Sequence, residues 1–146
     1  MSFQIDHRQV SNWSDRVKAS PQKLGNEMAR TTNAVAGRGI EYAIEFAPRK
    51  DGNLAGSIGM TRIAGTSSWH AAYGTRGIEY AWQREEGGVI RARNKPYLVF
   101  QINGQWVKVK SVKQKGSFYM KKAHRRVWPE AQRAWELAID RSLEGV

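Results

Sequence analysis

Cysteine is absent from this chain. Its absence excludes disulfides and thiolate chemistry, and it permits synthesis in a reducing cytosol. Histidine is nearly as scarce: His7, His70 and His124 lie far apart, so no structural zinc site is expected. Acidic residues are few, 13 Asp and Glu against 24 Lys and Arg, for a net charge of +11. With no run of about 18 apolar residues there is no candidate transmembrane helix. The opening Met1-Ser2-Phe3-Gln4-Ile5-Asp6 has no basic-then-apolar pattern, so no secretory signal is expected.

Several chemical motifs are missing too. The glycines of Gly52-Asn53-Leu54-Ala55-Gly56 form neither a phosphate-cradling loop nor a dinucleotide fingerprint, and there is no Gly-x-Ser-x-Gly elbow. Glu85 and Glu86 are adjacent, and neighbouring acids rarely face one cleft, which argues against paired-carboxylate catalysis. His70 beside Trp69 reads as an isolated buried or surface histidine. The expectation is no enzyme, with no cofactor and no metal.

What is present suits one domain, residues 1–146, with 1–19 as a flexible or short helical extension. The basic excess draws the chain toward polyanions or an acidic partner surface, or is simply the skewed surface of a globular domain. Six tryptophans suggest a subunit or partner surface, where that residue is enriched.

Val10, Trp13, Val17, Leu24 and Met28 recur at helical steps. Ser20 suits a helix cap and Pro21 a first helical position, so the expected split is a short helix over 11–19 and a long one from 21 to about 46. The second would be about 40 Å long. Val35, Tyr42 and Phe46 continue its apolar stripe, while Gly37 and Gly39 weaken it and mark a kink, a break or a close approach by another chain. Pro48 should stop it at Ala47, and Asp51-Gly52 is a turn signal.

Strand character follows. Residues 57–63 read as a modest strand, Gly65-Thr66-Ser67-Ser68 as a loop, 69–73 as a second short strand and 74–77 as another turn. Residues 78, 80 and 82 are apolar in alternation, and Arg84-Glu85-Glu86-Gly87-Gly88 reads as a charged loop. The sharpest signal is a hairpin over 97–110, two strand-like runs about Asn103-Gly104, a pair suited to a type I′ turn. Leu98, Phe100 and Ile102 should share one face, with Val107 and Val109 turned to the core and Lys108 and Lys110 to water. Lys108, Lys110, Lys113 and Lys115, with Arg91, Arg93 and Lys95 before the hairpin, either guard a strand edge or line a phosphate-attracting groove.

A helical segment begins at Tyr119 and carries the basic cluster Lys121, Lys122, Arg125 and Arg126. Pro129 should open a final helix reaching Leu143, its inner face formed by Trp128, Ala131, Trp135, Ala138, Ile139 and Ser142 and extended by Leu143, with Gly145 beyond its end. No helix–turn–helix signature accompanies the basic residues. The fold class is α+β: a long N-terminal helix, a small antiparallel sheet with a hairpin at 97–110, and a C-terminal helix.

The stretch Ala47-Pro48-Arg49-Lys50-Asp51-Gly52-Asn53-Leu54-Ala55-Gly56-Ser57-Ile58 resembles a motif of the bacteriophage head–tail joining and tail completion proteins of long-tailed phages. In that family an amphipathic helix ends in Ala-Pro, followed by a charged turn, Gly, Leu and Ser-Ile. The family's tyrosine–alanine segment leading to an acid and Gly is matched by Tyr80-Ala81 through Glu86-Gly87, with Gln83 and Arg84 intervening. Phe118 and Ala123 match the opening of its last helix, with Ser117 in place of the usual proline. The likeness covers roughly residues 20–143. It implies a structural virion protein, made in the bacterial host cytoplasm, that assembles as a ring at the neck or the top of the tail. The implied partners are further copies of itself, neck or connector proteins and the tail tube protein, with possible non-specific contact to genomic DNA and no membrane. Both tail terminator and neck adaptor remain open. Arg49, Lys50, Glu85, Glu86, Trp128 and Trp135 are the expected interface residues. The alternative is a basic nucleic-acid-binding module; a small basic enzyme or toxin is a third class.

Overall fold

The computed structural model describes residues 7–49 and 52–144, and within the first helix the side chains of Asp15, Lys18 and every residue from Ser20 onward. Lys50, Asp51, Gly145 and the side chains of Val10, Trp13 and Val17, all used in the expectations above, lie outside the described residues. The architecture is α+β. Two helices, α1 (His7–Phe46) and α4 (Tyr119–Leu143), pack antiparallel along the molecule. Between them in sequence come α2 (Asn53–Ser57), β1 (Ile58–Arg62), β2 (Ala72–Thr75), α3 (Ala81–Glu86), β3 (Gly87–Arg91), β4 (Leu98–Ile102), β5 (Gln105–Val109) and β6 (Ser111–Lys115).

The helix pair is joined through small residues. Ala29, Ala36 and Ala43 are buried on α1 at seven-residue intervals, and Ala123, Val127, Ala131, Ala138 and Ser142 are buried on α4. Side chains this short let two helix axes approach closely. Partners run in opposite order along the two helices: Glu27 with Arg141 at 3.5 Å, Arg38 with Glu130 at 3.3 Å, and Glu45 with Arg126 at 3.2 Å. Tyr42, Ala43, Ala47, Leu54, Ile58, Ala81, Tyr119, Ala123 and Val127 close the core where α1 ends and α4 begins.

Both expected helix breaks are absent. α1 runs through Pro21 and α4 through Pro129. A proline removes one hydrogen bond and can kink a helix without ending it, so the cap-like Ser20-Pro21 pattern is ambiguous in sequence. The close approach suggested at Gly39 is real but comes from the same chain: a Cβ there would lie 2.6 Å from the Tyr73 ring, whereas one at Gly37 would meet open space. Asn33 fastens the connection after β1 to α1, its side chain bonding both the carbonyl of Ala64 (3.0 Å) and its N–H (2.7 Å).

The expected small antiparallel sheet consists of three two-stranded antiparallel ladders, β1–β2, β3–β6 and β4–β5. β2 begins at Ala72, so the strand expected at 69–73 lies further on and takes in Gly74 and Thr75, which read as a turn. Residues 81–86, read as the end of an alternating segment and a charged loop, form α3 instead, with Gly87 and Gly88 opening β3. A six-residue helix is too short for its period to show.

The last two ladders are nested. β3 leaves the body paired to β6, β4 continues outward paired to β5, and the chain reverses at Asn103-Gly104. Both turn residues have positive φ, 50° and 81°, as a type I′ turn requires. Residues 87–115 therefore form one arm, interrupted where 92–97 stand opposite Lys110.

Candidate functional site

The arm is anchored at its root. Gly87 has φ 75°, and a Cβ there would lie 2.5 Å from the Gly116 nitrogen; a Cβ at Gly116 would lie 2.6 Å from the Glu85 carbonyl oxygen. Only glycine lets these backbone segments lie together. Ser117 N–H donates to the Arg84 carbonyl (2.9 Å) and Phe118 N–H to that of Glu85 (3.1 Å), which ties both arm roots to α3.

Beyond the root the arm stands apart. Leu98, Phe100 and Ile102 share a face with Val107 and Val109, as expected from their spacing. That face does not meet the core: among the described residues, no helix packs appreciably against β4 or β5. The hairpin register is set locally by Asn-Gly and alternation, whereas the surface that an apolar face meets is decided by tertiary structure. On the opposite face are Val99, Gln101, Trp106 and Lys108, and Trp106 is 72% exposed. A two-stranded ribbon with no layer behind it is marginal in water.

A second apolar surface lies beside the helix seam. Trp128 and Trp135 meet edge to face at 5.9 Å, and His124 tilts against Trp128 at 5.6 Å. With Tyr73, Met120 and Ala36 they line an open groove of about 710 Å³ between α1, β2 and α4. Trp135 donates its indole N–H to the Thr32 hydroxyl at 3.1 Å, which fixes the ring. The expected inner face of α4 holds in part: Ala131, Ala138 and Ser142 are buried, but Trp128, Ile139 and Leu143 are exposed, and the buried seam runs on through Val127, Ala123 and Tyr119 instead. The helical period locates an apolar stripe but not which part of a broad stripe the neighbouring helix covers.

The acidic pair divides. Glu85 is buried and accepts the Met120 N–H (2.9 Å) and the Lys121 N–H (3.1 Å), so its carboxylate caps α4. Phe118, which precedes the helix in a left-handed conformation, offers no side-chain cap of its own. Burial, then the nearby Glu85 charge, pushes the Tyr119 phenol above its ordinary value. Glu86 is exposed and lies 3.7 Å from Lys121. Of the expected interface residues, Trp128 and Trp135 are brought together, Glu85 serves the fold, Glu86 and Arg49 are on the surface, and Lys50 lies outside the described residues.

Among the described residues, no three His, Asp or Glu side chains converge as a metal site, and no helix is long and apolar enough to cross a membrane. The arm as a free-standing element, with Val99 and Trp106 on it, was not foreseen. One signal for it was legible: no Asp or Glu occurs from Gly87 to Pro129. Comparison with protein families, with curated proteins and with solved structures gives no match for this chain.

Proposed function

We propose that this protein is a non-enzymatic assembly module whose subunits close into a ring, and that the ring is a structural part of a phage virion, at the neck or the upper end of the tail. The carrying observation is surface. The chain exposes 11109 Å², against about 7,600 Å² for a compact monomer of its mass. The excess of roughly 3,500 Å² is several times the roughly 800 Å² that each partner contributes to a standard interface. Among the described residues, the features that assembly would cover are the arm, the exposed Trp128 beside its groove, and the apolar outer residues of α4. Heterologous contacts, in which an arm from one subunit reaches a different surface on the next, generate rings when the rotation closes. The placement in a virion rests on the resemblance of residues 47–58, 80–87 and 118–123 to the head–tail joining and tail completion proteins.

Native mass spectrometry of the purified chain tests ring formation, and micrographs of particles lacking it test the placement. Filled heads separated from finished tails are expected for a joining role, and tails of abnormal length for a terminator. Particles that mature normally without the chain overturn the virion reading.

A further inference from the structure

The net charge has one address. Between Gly87 and Pro129 there are eleven Lys and Arg and no acid, while the rest of the chain carries thirteen of each sign. That segment is the arm together with the first part of α4. On the arm, Arg91, Arg93 and Lys95 lie on the outgoing side and Lys108, Lys110, Lys113 and Lys115 on the returning side, all exposed. Among the described residues none of the seven is within ion-pair distance of a carboxylate. On α4, Lys121 reaches Glu86 and Arg126 reaches Glu45, but Lys122 and Arg125 are exposed and, among the described residues, have no acidic partner within ion-pair distance.

Guarding a strand edge does not account for this charge. Arg93 and Lys95 stand in the connection between β3 and β4, where there is no strand edge to guard. The rest of the chain is balanced in charge, so a second copy brings no net negative charge to match the arm. Seven like charges on one narrow ribbon repel each other and gather counterions, and releasing those counterions drives binding to a polyanion. A two-stranded ribbon is also narrow enough for the roughly 12 Å major groove of a duplex. We infer that the arm and the adjoining start of α4 bind the phosphate backbone of double-stranded nucleic acid, without reading its sequence. Trp106, at the outer end of the arm, is placed to lie against the duplex beside these cations.

The test is binding of the full chain to a random-sequence DNA duplex by fluorescence anisotropy across a salt series. Engagement of about five phosphates gives a slope of log affinity against log salt of about −4.5. Replacing Lys108, Lys110, Lys113 and Lys115 together with Gln should flatten that slope by about 3.6 and weaken binding more than tenfold near 0.1 M salt. The melting temperature should stay unchanged, because all four side chains are exposed. Arg49→Gln with Arg133→Gln, exposed and off the arm, should leave binding intact. The inference is overturned if there is no salt-dependent binding, if the quadruple variant binds as tightly as the parent, if a single strand of equal length binds as well as the duplex, or if an acidic protein is bound and DNA is not. It does not rest on ring formation: a monomer that binds DNA preserves this inference and ends the assembly reading, and a ring indifferent to DNA does the reverse.

Discussion

Replacing Glu85 with alanine should cost far more than replacing its neighbour. Glu85 is 8% exposed and accepts two N–H groups of the first turn of α4. Loss of a cap costs about 1 kcal/mol, and a carboxylate at a helix N-terminus adds about 0.5–1 kcal/mol. Buried donors left without partners can raise the loss further, by about 1–3 kcal/mol. These terms overlap, so the expected loss for Glu85→Ala is about 2–4 kcal/mol. At an unfolding entropy of about 2.1 cal/mol/K per residue, that lowers the melting temperature by about 7–13 °C. Glu85→Gln, which keeps one acceptor but turns an NH₂ toward donors, should fall about halfway. Glu86→Ala breaks only an exposed pair with Lys121, worth less than about 1 kcal/mol. Thermal melts followed by circular dichroism decide the matter. Equal, small shifts for Glu85→Ala and Glu86→Ala would refute the capping role and return both residues to the surface.

Other outcomes follow from the same geometry. Gly37→Ala should stabilise by up to about 1 kcal/mol, through helix propensity alone. Gly39→Ala, whose new methyl meets the Tyr73 ring, should lie about 1–3 kcal/mol below it; equal melting temperatures would contradict the close approach. Replacing residues 92–110 with Asn-Gly, which joins the paired ends Arg91 and Ser111, should leave the melting of the helical body unchanged, and a large loss would mean that the arm belongs to the core. The Glu130 carboxyl is held below its usual value of 4.5, first by the Tyr42 hydroxyl that donates to it and then by Arg38. Its contribution is therefore complete above pH 4.5 and fades as the pH falls through the lowered value. Glu130→Gln should flatten that acid limb of melting temperature against pH, and parallel curves would exclude the effect.

The parts of this fold that were legible share a local cause. The two long helices show in their apolar period, and the β4–β5 hairpin shows in Asn103-Gly104 with alternation on either side. Stops and seams were less legible, because they depend on what packs against them. Pro21 and Pro129 carry the marks of helix starts yet lie inside α1 and α4. Trp128 and Ile139 are as apolar as any core residue and still face out, because alanines close the seam beside them. For the candidate site, the spacing of seven put Trp128 and Trp135 on one face of the last helix, while their edge-to-face contact is seen only in the folded chain. The burial of Glu85 was not legible, since α3 and the start of α4 are more than thirty residues apart in sequence and only the folded chain joins them. Nor could the pattern of Val107 and Val109 say that, among the described residues, no helix would pack appreciably against the face they form.

Sedimentation of the full chain beside the variant with residues 92–110 replaced bears most directly on assembly. The expected result is a closed multiple of the 16.6 kDa chain for the parent and smaller species for the variant. A single 16.6 kDa species for both, at every concentration that stays in solution, would contradict it.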